Sequence, residues 1–462
     1  MRSFNELRMK EYMKRVFLTF MAVAFAMVAT AQEKTTPDYG DFTVDAQVRV
    51  LGEYRGGMLS DENAKYELLA TDRARLSFGW ERKNISMKLS AHHIGFWHND
   101  YKSSTTGKFA LHEAWARMAF GKGFFAQVGR QELSYDDERL LGAHDWVSSG
   151  RAHDALRLGW ENKWNKVHAI VSLNQTAEVT DALGFSTSKL YKNMETVWYH
   201  YGSSQSPFQI SGIAINQGAN DYRSDSIRYM QTFGAYMTYK WPNISADLSL
   251  YYQMGHDRSD DKVQAYRMSG NVYWQFLPKW RITIGDDYLS GSDGYPGTNR
   301  TFHLLYGSDH DFLGAMDNFT YNSIPLYGLN DLSAKVDYTL YGRSHKYWGP
   351  KLDLSLTAHW FITGRRINNY LKDPVEELTD PEKILIMRKY NGKHRFSQNL
   401  GQEIDLQVKY RPWKSVTIQA GFSVMLASET MQFIKGSTDD LQKWGWVSLN
   451  INPTVFSSKV RD

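Results

Sequence analysis

Apolar and polar positions alternate with period two along most of this chain. Phe42, Val44, Ala46, Val48 and Val50 alternate with Thr43, Asp45, Gln47, Arg49 and Leu51. The same rhythm runs through 73–81, 352–360, 403–410 and 416–426. Period two sends successive side chains to opposite faces of a strand, so each run predicts a strand with one apolar face. All such runs together predict about 18 strands of roughly 9 to 14 residues, the length that crosses a bilayer at a tilt.

The connections alternate too. Arg82–Asn84, Gly121–Gly123, Asn162–Asn165 and Trp241–Asn243 are short and rich in turn residues. The gaps between them are long, at 55–69, 97–108, 134–153 and 175–192, and the longest are 289–329 and 365–401. Short connections on one side and long ones on the other mark a sheet inserted into a membrane from one direction. A soluble sandwich has no reason to sort its connections so, and no repeat of fixed length supports a solenoid. The predicted fold is an all-β transmembrane antiparallel β-barrel spanning 42–456, with short periplasmic turns, long extracellular loops and a tail at 457–462.

The start of the chain agrees. Met13 is followed by Lys14-Arg15, an uncharged apolar stretch over 16–28, and Ala29-Thr30-Ala31 before Gln32. That order is a secretory signal, so residues 1–31 are expected to be removed near Ala31, with Met13 as the true start. A short periplasmic segment at 32–41 would precede the barrel and is too brief to form a plug. A surface exposed to lipid and lipopolysaccharide of a Gram-negative type outer membrane follows, with insertion by the barrel assembly machinery.

Composition now reads consistently with strands. A mean hydropathy of −0.51 excludes a bundle of membrane helices, yet suits strands whose alternate residues are polar. The 23 Phe, 28 Tyr and 15 Trp suit strands and interfacial girdles. With no cysteine, disulfides and thiolate chemistry are excluded. The net charge of +4 falls to +1 without residues 1–31, too little to imply nucleic acid.

An 18-strand barrel encloses an aqueous channel, so strand parity becomes a map of its lining. Arg49, Arg73, Arg75, Arg117 and Arg157 fall on the inner face of neighbouring strands, beside Asp45, Glu53, Glu81, Glu113 and Glu161. Arginine forks pair with carboxylates, so this sector is either a wall-stiffening ladder or a cationic track for anions. Elsewhere the inner face is mixed, with Asp247, Arg281, Asp287, Lys335, Asp337, Asp353, Glu403, Asp405 and Lys409. The histidines His92, His93, His98 and His112 read as structural, since parity splits the adjacent pair across two faces. Asp257, Asp260 and Asp261, like Asp136, Asp137 and Glu138, read as loop charge. There is no spaced nucleophile motif, phosphate loop or zinc spacing, so no enzyme activity, cofactor or metal is expected.

Two dense motif blocks remain. Gly129-Arg130-Gln131-Glu132-Leu133 leads to Tyr135-Asp136-Asp137-Glu138-Arg139-Leu140-Leu141-Gly142, Asp145-Trp146, Gly150-Arg151 and Asp154-Ala155-Leu156-Arg157. Gly285-Asp286-Asp287-Tyr288 leads to Leu305-Tyr306-Gly307-Ser308, His310, Phe312, Gly314, Met316-Asp317 and Phe319. These blocks resemble the alginate export family of outer-membrane β-barrels. The resemblance implies an 18-strand barrel with an electropositive constriction that passes an anionic polysaccharide. It adds Arg130 and Arg151 to the candidates, although Arg130 is in phase with outward Val128 and needs a bulge or strand end to turn inward. The expected pore-lining set is therefore Arg49, Arg73, Arg75, Arg117, Arg130, Arg151, Arg157 and Arg281, with Glu113 and Asp287. The expected cargo is an anionic saccharide or small organic anion. The alternatives are a general small-solute porin whose arginine–acid ladder is structural, and a surface adhesin or scaffold using the longest loops.

Overall fold

The computed structural model describes residues 39–57, 66–97, 107–174, 191–222, 224, 226–292, 297–320, 324–341, 350–366, 396–435 and 441–458. The expected signal at 1–31, His98 and much of the 365–401 gap lie outside these residues. Eighteen wall strands follow in chain order among the described residues. They are β1 Asp41–Gly56, β2 Tyr66–Arg82, β3 Ile85–Phe96, β4 Gly107–Gly121, β5 Phe124–Gln131 and β6 His153–Glu161. Next come β7 Asn165–Leu173, β8 Asn193–Tyr201, β9 Phe208–Asn220, β10 Ile227–Lys240, β11 Ile244–His256 and β12 Lys262–Leu277. The wall is completed by β13 Trp280–Leu289, β14 Leu329–Tyr341, β15 Lys351–Ile362, β16 Asn399–Trp413, β17 Val416–Ala427 and β18 Gln442–Ile451.

Each strand pairs antiparallel with the next, and β18 returns to β1 over Val48↔Ile451 to Gly56↔Lys443. The ring is closed, so no long edge is left exposed. A short continuation, Thr454–Ser457, also lies against β1. The connection from β2 to β3 is two residues, and Lys83 takes a left-handed φ of 41° to close it.

Outward positions are apolar. Val48, Leu76, Val128, Val171, Ile284, Leu356, Leu406 and Val447 are all exposed on that face. Trp160, Trp164, Trp241, Trp280 and Trp413 cluster where strands meet the short turns, forming the girdle expected at one membrane interface.

The lumen is not empty. The connection 132–152 and the described residues 297–320 of the connection after β13 fold inward and bury Leu133, Leu141, Phe302, Met316 and Phe319 against the wall's own Ile170, Met194, Met425 and Trp444. A seven-residue helix, Glu429–Lys435, follows β17 and buries Met431.

Candidate functional site: a braced constriction

The two inward segments are the two motif blocks, and they are joined backbone to backbone. Tyr306 N donates to Leu140 O at 2.9 Å, Gly142 N to Tyr306 O at 2.8 Å and Ser308 N to Glu138 O at 2.9 Å. Side chains complete the seam: Arg151 Nη1 donates to Gly307 O at 2.6 Å, and His144 N donates to Ser308 Oγ at 3.0 Å. A Cβ at Gly307 would sit 2.5 Å from Arg139 O and 2.6 Å from Glu138 O, so this approach needs glycine. Asp136, Glu138, His144, Leu313 and Asp317 all adopt left-handed φ values in these segments. Such conformations are costly for residues with a side chain and persist only where the surroundings hold them.

The arginine sector holds the adjoining residues 145–148. Arg49 and Arg73 lie directly opposite on β1 and β2, a like-charged pair that would repel if left bare. Arg49 donates to Asp145 O at 2.5 Å and to Trp146 O. Arg73 pairs with Asp145 Oδ1 at 2.9 Å and donates to Ser148 O at 3.3 Å. Arg75 lies 3.8 Å from the same carboxylate oxygen. Three guanidiniums thus converge on residues 145–148, satisfying loop carbonyls that the lumen would otherwise leave exposed.

A second brace crosses the lumen. Asp287 on β13 accepts from Arg267 at 2.7 and 2.9 Å and from Arg139 at 3.1 Å, and Arg139 also pairs with Asp137 at 2.7 Å. All four side chains are buried. Burial opposes the Arg139 charge, but Asp287 and Asp137 outweigh it and hold its pKa above the ordinary value. Arg139 also lies 4.0 Å over the Phe312 ring, tying the first segment to the second. Deeper in the second segment, Met316 N donates to Glu403 Oε1 at 3.0 Å.

Arg117 and Arg157 are arranged differently. Arg117 stacks 3.6 Å over Phe125, while Arg157 donates to Gln127 Oε1 at 2.6 Å. Neither is within 4 Å of a carboxylate among the described residues, so both remain as inward cations on β4 and β6.

A bulge opposite Ser90 and Ala91 turns both His112 and Glu113 inward. His112 Nε2 lies 2.7 Å from Glu132 Oε1, and Glu113 binds Lys88 and Trp115 Nε1. The ligand atoms of His112, Glu113 and Glu132 lie within 4.8 Å of one another, but Lys88 and Trp115 already engage Glu113. His92 is buried and His93 half-exposed, as parity requires.

Arg130 corrects the sequence expectation. No bulge turns it inward; it stays in phase with outward Val128 and forms a bidentate pair with Asp154 at 2.8 and 2.9 Å on the outer face. Arg281, by contrast, faces inward and pairs with Asp337 at 2.7 Å. It lines a cavity of about 450 Å³ together with Asp137, Asp247, Asp311, Asp331 and Asp405. Arg267 was missed by sequence reasoning. Its inward neighbours Val263 and Ala265 are apolar because a folded-in segment covers them, which blurs the alternation that would have flagged it.

The family model described as alginate export matches residues 97–440. The fold is shared with solved outer-membrane barrels at low identity. The outer membrane protein opdK of Pseudomonas aeruginosa has TM-score 0.56 and 8% identity, covering 89% of this chain and 98% of its own. A BenF-like porin from Pseudomonas fluorescens Pf-5 has TM-score 0.58 and 10% identity, covering 90% and 99%. OccK2 (OpdF) of Pseudomonas aeruginosa in complex with glucuronate has TM-score 0.56 and 9% identity, covering 90% and 98%. No curated protein matches the chain.

Proposed function

The chain belongs to the alginate export family of outer-membrane barrels, and from that premise we propose that it is a passive channel for small hydrophilic organic solutes, saccharides among them. Family and fold are those of outer-membrane channels, which are not enzymes. The observation that carries the reading is the use made of the arginine row. Arg49, Arg73 and Arg75 face residues 145–148 and hold a constriction in place, while the wall of β11–β16 is rich in carboxylates. Flux runs down whatever gradient exists, with size set by the two inward segments and weak orientation by the opposed charges. Lipid and lipopolysaccharide surround the apolar belt. The barrel assembly machinery inserts the chain after its export signal is cleaved near Ala31.

A second reading, an anion-preferring path for an acidic saccharide, is supported by Arg117 and Arg157, neither of which has a carboxylate within 4 Å among the described residues. Liposome swelling separates the two. Comparable entry of a neutral hexose and a hexuronate supports the general channel; entry of the uronate alone supports the anion path. If neither enters, the chain is no channel for such solutes.

A further inference from the structure

The lumen cavity between the second inward segment and the wall of β11–β16 has the wrong charge for an anion. Arg139, Arg281 and Lys335 are already matched by Asp137, Asp287 and Asp337. Asp247 accepts only neutral donors, Asn271 at 2.8 Å and Tyr273 at 2.6 Å. The Asp311 backbone N donates to Ser308 O at 3.0 Å, while its carboxylate has no hydrogen-bond or ion-pair partner among the described residues. Asp331 and Asp405 share one imidazole, His359, at 2.8 and 3.4 Å. Asp405 is 3% exposed and is hydrogen-bonded to the buried Glu403 carboxyl. Ser269 Oγ and Thr283 Oγ1, buried on the same cavity wall, have no partner among the described residues. Buried polar groups are normally satisfied, so orphans on a cavity wall point to a missing ligand.

We infer that this cavity binds a solute bearing a primary ammonium group on a hydroxylated frame, the chemistry of an amino sugar. An ammonium offers three donors and one positive charge, matching carboxylates that lack both. Tyr236 supplies an aromatic face that favours a cation, and Gln407 and Gln419 supply amides for hydroxyls. The cavity lies across the ring from Arg117 and Arg157, since β5 and β14 are nine strands apart in an 18-strand closure. The site goes beyond the channel reading and rests on it only for how a solute arrives.

The test is equilibrium binding to the purified, detergent-solubilised barrel, which needs no conductance. Isothermal titration compares glucosamine, N-acetylglucosamine and glucuronate at pH 7. Glucosamine should bind about tenfold more tightly than N-acetylglucosamine, the difference expected for one charge-assisted hydrogen bond, and glucuronate least. Asp247→Asn and Asp311→Asn should each erase most of that preference, with heat-modifiable migration on gels confirming that both variants fold. Equal binding of glucosamine and N-acetylglucosamine, or a preference unchanged in both variants, overturns the inference. A barrel that binds glucosamine yet fails to swell liposomes would refute the channel reading alone.

Discussion

Arg73 on the barrel wall and Asp145 on the first inward segment meet at 2.9 Å, and this contact joins lumen wall to constriction. Arg73 is fully buried whereas the Asp145 side chain is 57% exposed, so the two ends of the pair differ in what they lose when it breaks. Asp145 can return to water. Arg73 cannot, and its Nε and Nη2 already lack partners. The pair therefore acts less as a fastening of great strength than as one of several contacts that give 145–148 a single resting place.

The Asp287 brace is the costliest to disturb. Asp287→Asn leaves Arg139 and Arg267 buried with half their countercharge, and the loss should be about 3–5 kcal/mol. Chemical denaturation in detergent measures it. Arg267→Met in the same chain should recover much of the loss, because it removes one uncompensated charge.

Gly307→Ala should part the two inward segments without harming the wall. The added methyl would meet two backbone oxygens, Arg139 O and Glu138 O, neither of which can rotate aside. Thermal stability of the barrel should be nearly unchanged, while amides at Gly142, Tyr306 and Ser308 lose hydrogen-exchange protection.

Two groups in the first segment oppose each other with pH. Burial pushes Asp136 up from 3.8 to about 6, partly offset by Ser211 and Trp198. Its contribution to stability is full below 3.8 and lost as pH rises through 6. Burial, helped by Arg151, lowers His144 from 6.5 to about 4, so its contribution is present above 6.5 and lost as pH falls through 4. Protection of the segment should be nearly flat between pH 4 and 6.5 in the native chain. Asp136→Asn should uncover a fall toward acid, and His144→Gln a rise toward acid. Parallel slopes in the two variants would contradict this assignment.

Arg117→Gln with Arg157→Gln should shift the reversal potential under a salt gradient toward cation preference, since neither cation has a carboxylate within 4 Å among the described residues. Arg130→Gln should leave it unmoved, because that side chain pairs with Asp154 outside the barrel.

Much of this was legible in the sequence. Alternation from Phe42 onward and the sorting of turns by length describe the wall, because strand parity is a local property. Arg49, Arg73, Arg75, Arg117 and Arg157 face inward as parity requires. The inward course of 132–152 and 297–320 is not legible, since no periodicity says which way a connection folds. Parity alone makes the arginines pore lining, whereas three of them grip a segment of the chain. Trp444 and Met194 are apolar on the inner face for the same reason. Arg130 shows the opposite error, where motif resemblance was allowed to outweigh a parity that was correct.

Single-channel recording in planar bilayers, comparing the native barrel with Arg49→Met/Arg73→Met, tests the central claim most directly. An open channel whose width is set by a braced inward segment should show ohmic conductance in the native protein. The variant should conduct more, with added low-frequency noise as 145–148 loses its anchors. No conductance in the native barrel, or identical traces from the two proteins, would contradict the account.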